Sequence, residues 1–231
     1  MYFDPIYFAF IAPALLLSLW ASFMTKHNFK KYSRVAAISG LTGAQAAQRL
    51  LEGAGIGNVS INATRGILSD HYNPLDRSLN LSEAVYGSRS VAAIGVACHE
   101  AGHAIQHAVG YKALGIRSAL VPTAKIGSTL GYFVMFAGLL LSSANVVLVG
   151  AALFSAVLLF QIVTLPVEFD ASNRAKALVS QYGIVTEREK EGVSKVLNAA
   201  ALTYVAAAVS TLLTLLYFLF RAGLLGGGSR D

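Results

Sequence analysis

The chain has 231 residues, 55% of them hydrophobic and 13% charged, with a formal net charge of +6. That charged fraction is about half the ~25% usual in soluble domains, which excludes an ordinary soluble globular protein. The positive charge is not interleaved with aromatic residues, which argues against nucleic acid as a partner. The single cysteine, Cys98, excludes an internal disulfide and a thiolate metal cage.

Three runs carry no charge: Pro5 to Thr25, Ile126 to Val167 and Val196 to Phe220. A spanning helix needs about 20 apolar residues, so the runs hold one, two and one spans. We place these at about 5–25, 126–142, 146–165 and 199–220, with Ser142–Asn145 as the turn inside the long run. The first run has no basic stretch ahead of it and is longer than a signal core, so it reads as a retained helix.

Lys26, Lys30, Lys31 and Arg34 follow as a basic cluster at the membrane surface. Thr42 then reads as the N-cap of a short amphipathic helix with apolar positions Ala46, Ala47, Leu50 and Leu51, ended by Gly53 and Gly55. Val59–Asn62, Gly66–Ser69 and Ser78–Ser82 alternate like strands, with a turn at Asn73–Asp76, and predict a small antiparallel sheet. From about Ser88 the pattern is helical as far as Gly110. Of the 18 Lys and Arg, 11 lie between Lys26 and Lys125 and five between Arg174 and Lys195, leaving Arg221 and Arg230. With four spans the two rich segments, about 26–125 and 166–198, share one side, which the positive-inside rule makes cytoplasmic.

The helix from Ser88 contains His99-Glu-Ala-Gly-His103. Its two histidines are one turn apart on one face, where two imidazoles can converge on a single Zn²⁺. Glu100 beside them is placed to act as general base toward a metal-activated water. His107 lies about 12 Å along the axis from His99, too far for the same metal. The third ligand has to come from Leu165-Pro-Val-Glu-Phe-Asp-Ala-Ser-Asn-Arg-Ala175, with Glu168 the first candidate and Asp170 the second. His71, Tyr72 and Arg174 are candidates for stabilising an oxyanion.

The segments "SDHYNP", "HEAGHAIQHA", "LVP", "LPVEFDASNRA" and "VLNAAALTYVAAA" resemble the YugP-like family of neutral zinc metallopeptidases of bacterial membranes. The resemblance runs from Gly40 to the last span and implies a membrane-embedded zinc endopeptidase of gluzincin type. More distantly the layout is similar to the HtpX and CAAX-prenyl proteases, which carry H-E-x-x-H, a transmembrane hairpin and E-F-x-A-D. Glu168-Phe-Asp-Ala-Ser172 keeps the Glu, Phe and Ala of that motif and has Ser172 in place of its aspartate. The resemblance thus implies Glu168 as zinc ligand, with Asp170 or Asn173 as substitutes for the missing aspartate. If Pro166 opens a helix, Glu168 and Asp170 lie about 200° apart on it, so only one can face the metal. Ala171, Ser172 and Ala175 on the Glu168 side are small enough for a close helix contact, and Asp170 shares a face with Arg174.

The resulting expectation is a mainly α multi-pass membrane protein, four transmembrane helices with a cytoplasmic zincin-like α+β catalytic unit. His99, His103 and Glu168 hold one Zn²⁺ per chain and Glu100 is the base. The partners are a peptide or protein substrate, extended along Ile67–His71 or Ser78–Ser82, and the lipid bilayer of a bacterial cytoplasmic membrane. Two rival readings are an intramembrane site-2-type protease, with Val91–Gly110 as a fifth span, and a zinc-bound scaffold without catalysis.

Overall fold

A segment in lipid must satisfy its backbone polar groups internally, and the charge-free runs do so as helices. The computed structural model describes residues 5–66 and 69–225. Its elements in chain order begin with α1 (Pro5–Tyr32), α2 (Gly43–Gly53), β1 (Ser60–Thr64), β2 (His71–Asn73), β3 (Ser78–Ser82) and α3 (Glu83–Tyr86). They continue with α4 (Val91–Ala108), α5 (Lys112–Ile126), a π-helical turn (Gly127–Gly131), α6 (Tyr132–Leu140), α7 (Ala144–Gln181) and α8 (Glu187–Arg221). Four helical stretches are long and apolar enough to cross a membrane: Pro5–Tyr32, Lys112–Leu140, Ala144–Gln181 and Glu187–Arg221. All four outrun the apolar runs, because helix propensity does not stop where hydropathy does and Lys or Arg near a helix end can reach the interface. The helical hairpin turns at Leu141–Ser143, with Ser142 in the left-handed region at φ 51.

The chain divides into two compact units. One comprises the residues up to Ala21, Ile116–Leu165 and those from Thr203 onward. Its buried cluster is Met135, Val147, Ala151, Phe154, Leu215 and Phe218. Gly131 and Gly150 bring α6 and α7 into backbone contact there: a Cβ on Gly150 would lie 2.4 Å from the Met135 nitrogen.

The other unit, Ser22–Gly115 with Pro166–Leu202, contains the histidine helix. α2 forms as its sequence predicts. Thr42 caps it in a complete capping box with Gln45, and Ala46, Ala47, Leu50 and Leu51 are buried. These side chains pack with Leu79, Leu81, Val85, Ile94, Ala97 and Ala101 into one core around α4. Each fully buried leucine there contributes about 1.5–3 kcal/mol relative to exposure. Ser90 caps the start of α4 through the Ala93 amide. Past its end, Gly110 at φ 65 completes a Schellman turn, with Tyr111 N donating to Gln106 O and Gly110 N to His107 O.

The sheet differs from the antiparallel one the sequence predicts. Its order is β1-β3-β2, with β1 parallel to β3 and β2 antiparallel to it. Of the expected strand Gly66–Ser69, neither Gly66, with φ 113, nor Ser69 lies in a strand, and Ile67 and Leu68 lie outside the described residues. Extended pairing resumes at His71 instead. Asp70 closes the ladder by accepting from the amide and hydroxyl of Ser82. A second correction concerns Pro166, which opens no helix but lies inside α7. A proline forfeits one helical hydrogen bond, a loss that membrane helices tolerate. Glu168 is therefore carried on the same continuous helix as the third membrane-capable stretch.

Candidate active site

α4 brings His99, Glu100 and His103 to one level of the fold, and α7 delivers Glu168 opposite them. Gly102 permits the approach, since a Cβ there would stand 2.6 Å from the backbone oxygen of Ala171. Ala171, Ser172 and Ala175 on the facing side are all buried. Glu168 Oε2 lies 3.2 Å from His99 Nε2 and 3.6 Å from His103 Nε2. The three ligand atoms fall within 4.8 Å of one another, and Glu168 and His103 are buried.

The spacing and the contacts around the trio bear on whether it could hold a metal. Donor atoms about 2.0–2.1 Å from one tetrahedral zinc stand about 3.3 Å apart. The two Nε2–Oε2 separations lie on either side of that value. His103 Nδ1 is 2.9 Å from Gln106 Oε1, while Gln106 Nε2 donates at 2.8 Å to both the Val167 carbonyl and Asp170 Oδ2. With acceptors for both amide hydrogens, the Gln106 amide is oriented and its oxygen is left to accept. His103 must then donate from Nδ1, which commits Nε2 to the Glu168 side. His99 Nδ1 lies 3.1 Å from Ser172 Oγ, so its Nε2 also faces Glu168. A donor set of two such nitrogens and one carboxylate oxygen fits Zn²⁺.

Ser172, where the resembling motif has aspartate, thus contacts His99 itself. Asp170 reaches His103 through Gln106 and accepts from Arg174 Nε at 2.6 Å. Asn173 is exposed. Cys98, although next to His99, is fully buried, and burial pushes its thiol well above its ordinary value. Cys98 is not among the residues whose ligand atoms converge.

Glu100 is buried, and its Oε2 accepts from the Tyr72 amide at 3.0 Å. β2 therefore lies across the catalytic-type glutamate, a relation that the sequence pattern does not reveal. Of the three oxyanion candidates, Tyr72 has its hydroxyl on His107 Nδ1 at 2.8 Å. His71 has its ring on the Ser69 carbonyl at 2.8 Å, and Arg174 is engaged by Asp170. His107 stands apart from the three clustered ligand atoms. Gln106 was missed by the sequence reading; its one signal was an amide inside an otherwise apolar helical stretch.

Fold and site define a helical protein with four membrane-capable helices, in which an H-E-x-x-H pair meets a glutamate from a second helix. The chain belongs to the family described as "Putative neutral zinc metallopeptidase", which it matches over residues 7–223. It is also similar to the "Putative membrane protease YugP" of Bacillus subtilis (strain 168), with 49% identity over 205 residues covering 89% of this chain and 91% of that protein. No solved structure matches the chain.

Proposed function

We propose that this protein is a zinc-dependent endopeptidase of the bacterial cytoplasmic membrane, with His99, His103 and Glu168 as ligands and Glu100 as general base. The observation that carries this reading is the convergence of the three ligand atoms beside a buried glutamate on the same helix. Zn²⁺ bound there would supply Lewis acidity and a water acidic enough to deprotonate near neutral pH. Glu100 would accept a proton from the attacking water and return it to the leaving amine. The Tyr72 amide holds one Glu100 oxygen and leaves the other for the proton. Ser172 and Gln106 keep both imidazoles turned with Nε2 inward. The substrate peptide lies extended past the outer edge of β2, on the side where the Tyr72 amide meets Glu100. This unit holds 14 of the 18 Lys and Arg, which supports a cytoplasmic side for it.

The geometry favours this reading over the intramembrane rival, because α4 is not among the four membrane-capable helices and most of it is buried in a protein core. Purified protein with Glu100→Gln should retain about one zinc per chain and lose hydrolysis of a casein-type substrate, while His103→Ala should lose the metal as well. Full activity in the Glu100→Gln protein would overturn the mechanism.

A further inference from the structure

Past His103, α4 walls a cavity of about 220 Å³ that the reading above leaves unused. Ala104, one of its lining residues, follows Glu100 by four positions and so lies on the same face about 6 Å along the axis. Tyr72 spans the gap, with its amide on Glu100 and its hydroxyl on His107 at the cavity wall. An extended chain advances about 3.3 Å per residue, so the cavity sits within about two residues of a peptide bond attacked beside Glu100.

The lining is chemically one-sided. Asn58, Tyr72, Arg77 and His107 supply polar groups over an apolar floor that includes Val59 and Ala104, and no acidic residue takes part. The Arg77 side chain has no hydrogen-bond or ion-pair partner among the described residues. Its neighbour Asp76 is committed elsewhere, accepting from the amide and hydroxyl of Ser78 at 3.1 and 2.6 Å. Arg77 also adopts φ 52 in the turn between β2 and β3, where its carbonyl accepts from the Ser60 amide. A non-glycine residue held in that region is strained, and this one lines the cavity. Tyr72 stays protonated, because burial raises its pKa more than nearby Arg77 lowers it. Its hydroxyl, which can donate or accept, is paired with His107 Nδ1 at 2.8 Å, and both side chains line the cavity. An arginine with no ion-pair partner among the described residues, beside the polar side chains of Asn58, Tyr72 and His107, matches a carboxylate, with Asp76 the nearby negative charge it would have to outcompete.

We propose that this cavity is a substrate subsite for a carboxylate, with Arg77 selecting peptides that carry an acidic side chain or a free C-terminus near the scissile bond. The proposal rests on the peptidase reading, and its test separates the two. Zinc-loaded wild type, R77Q and R77E are compared on matched fluorogenic peptides with Glu, Gln or Lys at each position flanking the cleaved bond. A second set pairs free-acid with amidated C-termini, which tells an internal acidic residue from a chain end. Wild type should prefer one acidic arm over its neutral match by about tenfold in kcat/KM. That ratio should collapse in R77Q and shift toward Lys in R77E, with bound zinc equal in all three. Fluorescence anisotropy of the labelled peptides is measured in parallel in a Glu100→Gln background, where turnover is stopped. Failure of every peptide to be cleaved, with an Arg77-dependent acidic preference in binding, sinks the peptidase reading and keeps the carboxylate site. Equal binding and cleavage of acidic and neutral peptides, or a preference that survives R77Q, overturns the subsite.

Discussion

Gln106 has no exposed surface, and its amide is engaged on both ends, by His103 on one and by Val167 and Asp170 on the other. Gln106→Leu keeps the volume and removes all three contacts, so His103 is free to turn and the half-buried Asp170 loses a donor. Groups that orient a ligating histidine are worth about 10–100-fold in metal affinity. Competition with a chelator should show a loss of that size in Gln106→Leu, and unchanged zinc affinity would relegate Gln106 to packing. His103 carries a second expectation. Burial depresses its pKa, yet the hydrogen bond to Glu168 and the charges of Glu100 and Glu168 outweigh burial, so the value is raised above the ordinary ~6.5. In the metal-free protein the charged pair with Glu168 stabilises the fold fully below about 6.5, and this is lost as pH rises through the raised value. Zinc needs the same Nε2 lone pair, so its binding strengthens over that interval. The rise in Tm on adding zinc should therefore grow between about pH 6 and pH 8. A shift independent of pH would remove His103 from the ligand set.

At the scale of elements, what was legible depended on whether a feature is local. The cap at Thr42 and the spacing of His99 and His103 are set by backbone geometry within a few residues, and the structure shows both as the sequence implies. The sheet order was not legible, because pairing β1 parallel to β3 depends on how the chain between them crosses, which alternation does not encode. The continuity of α7 through Pro166 was hidden for a related reason: the sequence marks a proline but not the surroundings that tolerate it. Gln106 and Ser172 were hidden because their partners come from another helix. Close packing of α4 on α7 turns on Gly102, whose missing side chain leaves room for the Ala171 carbonyl. Gly102→Ala places a methyl against backbone that has no rotamer to escape into. The strain should cost about 1–3 kcal/mol of stability. It should also weaken zinc binding, since Glu168 retreats with α7. Thermal unfolding and zinc titration of Gly102→Ala read both effects, and a variant with wild-type zinc affinity would show that α7 can shift without moving Glu168.

For the whole molecule, the open matter is which side of the membrane the site faces, and charge distribution is the sequence property that bears on it. Were all four membrane-capable helices to cross, the Ser142 turn would lie opposite the stretches from Lys26 to Lys112 and from Arg174 to Lys195. Those two segments hold most of the basic residues. Each Lys or Arg near an anionic inner leaflet is worth about 1 kcal/mol, so this distribution favours the orientation with the two stretches inside. Cys98, buried with its thiol protonated, gives almost no background with thiol reagents, and Cys98→Ala removes even that. In that background a cysteine replacing Ser143 should react with a membrane-impermeant maleimide added to intact cells. One replacing Glu187, whose side chain is largely exposed, should react only after the cells are opened. Labelling at Glu187 from outside would place His99, His103 and Glu168 on the outer face, and the search for substrates would move there from the cytoplasm.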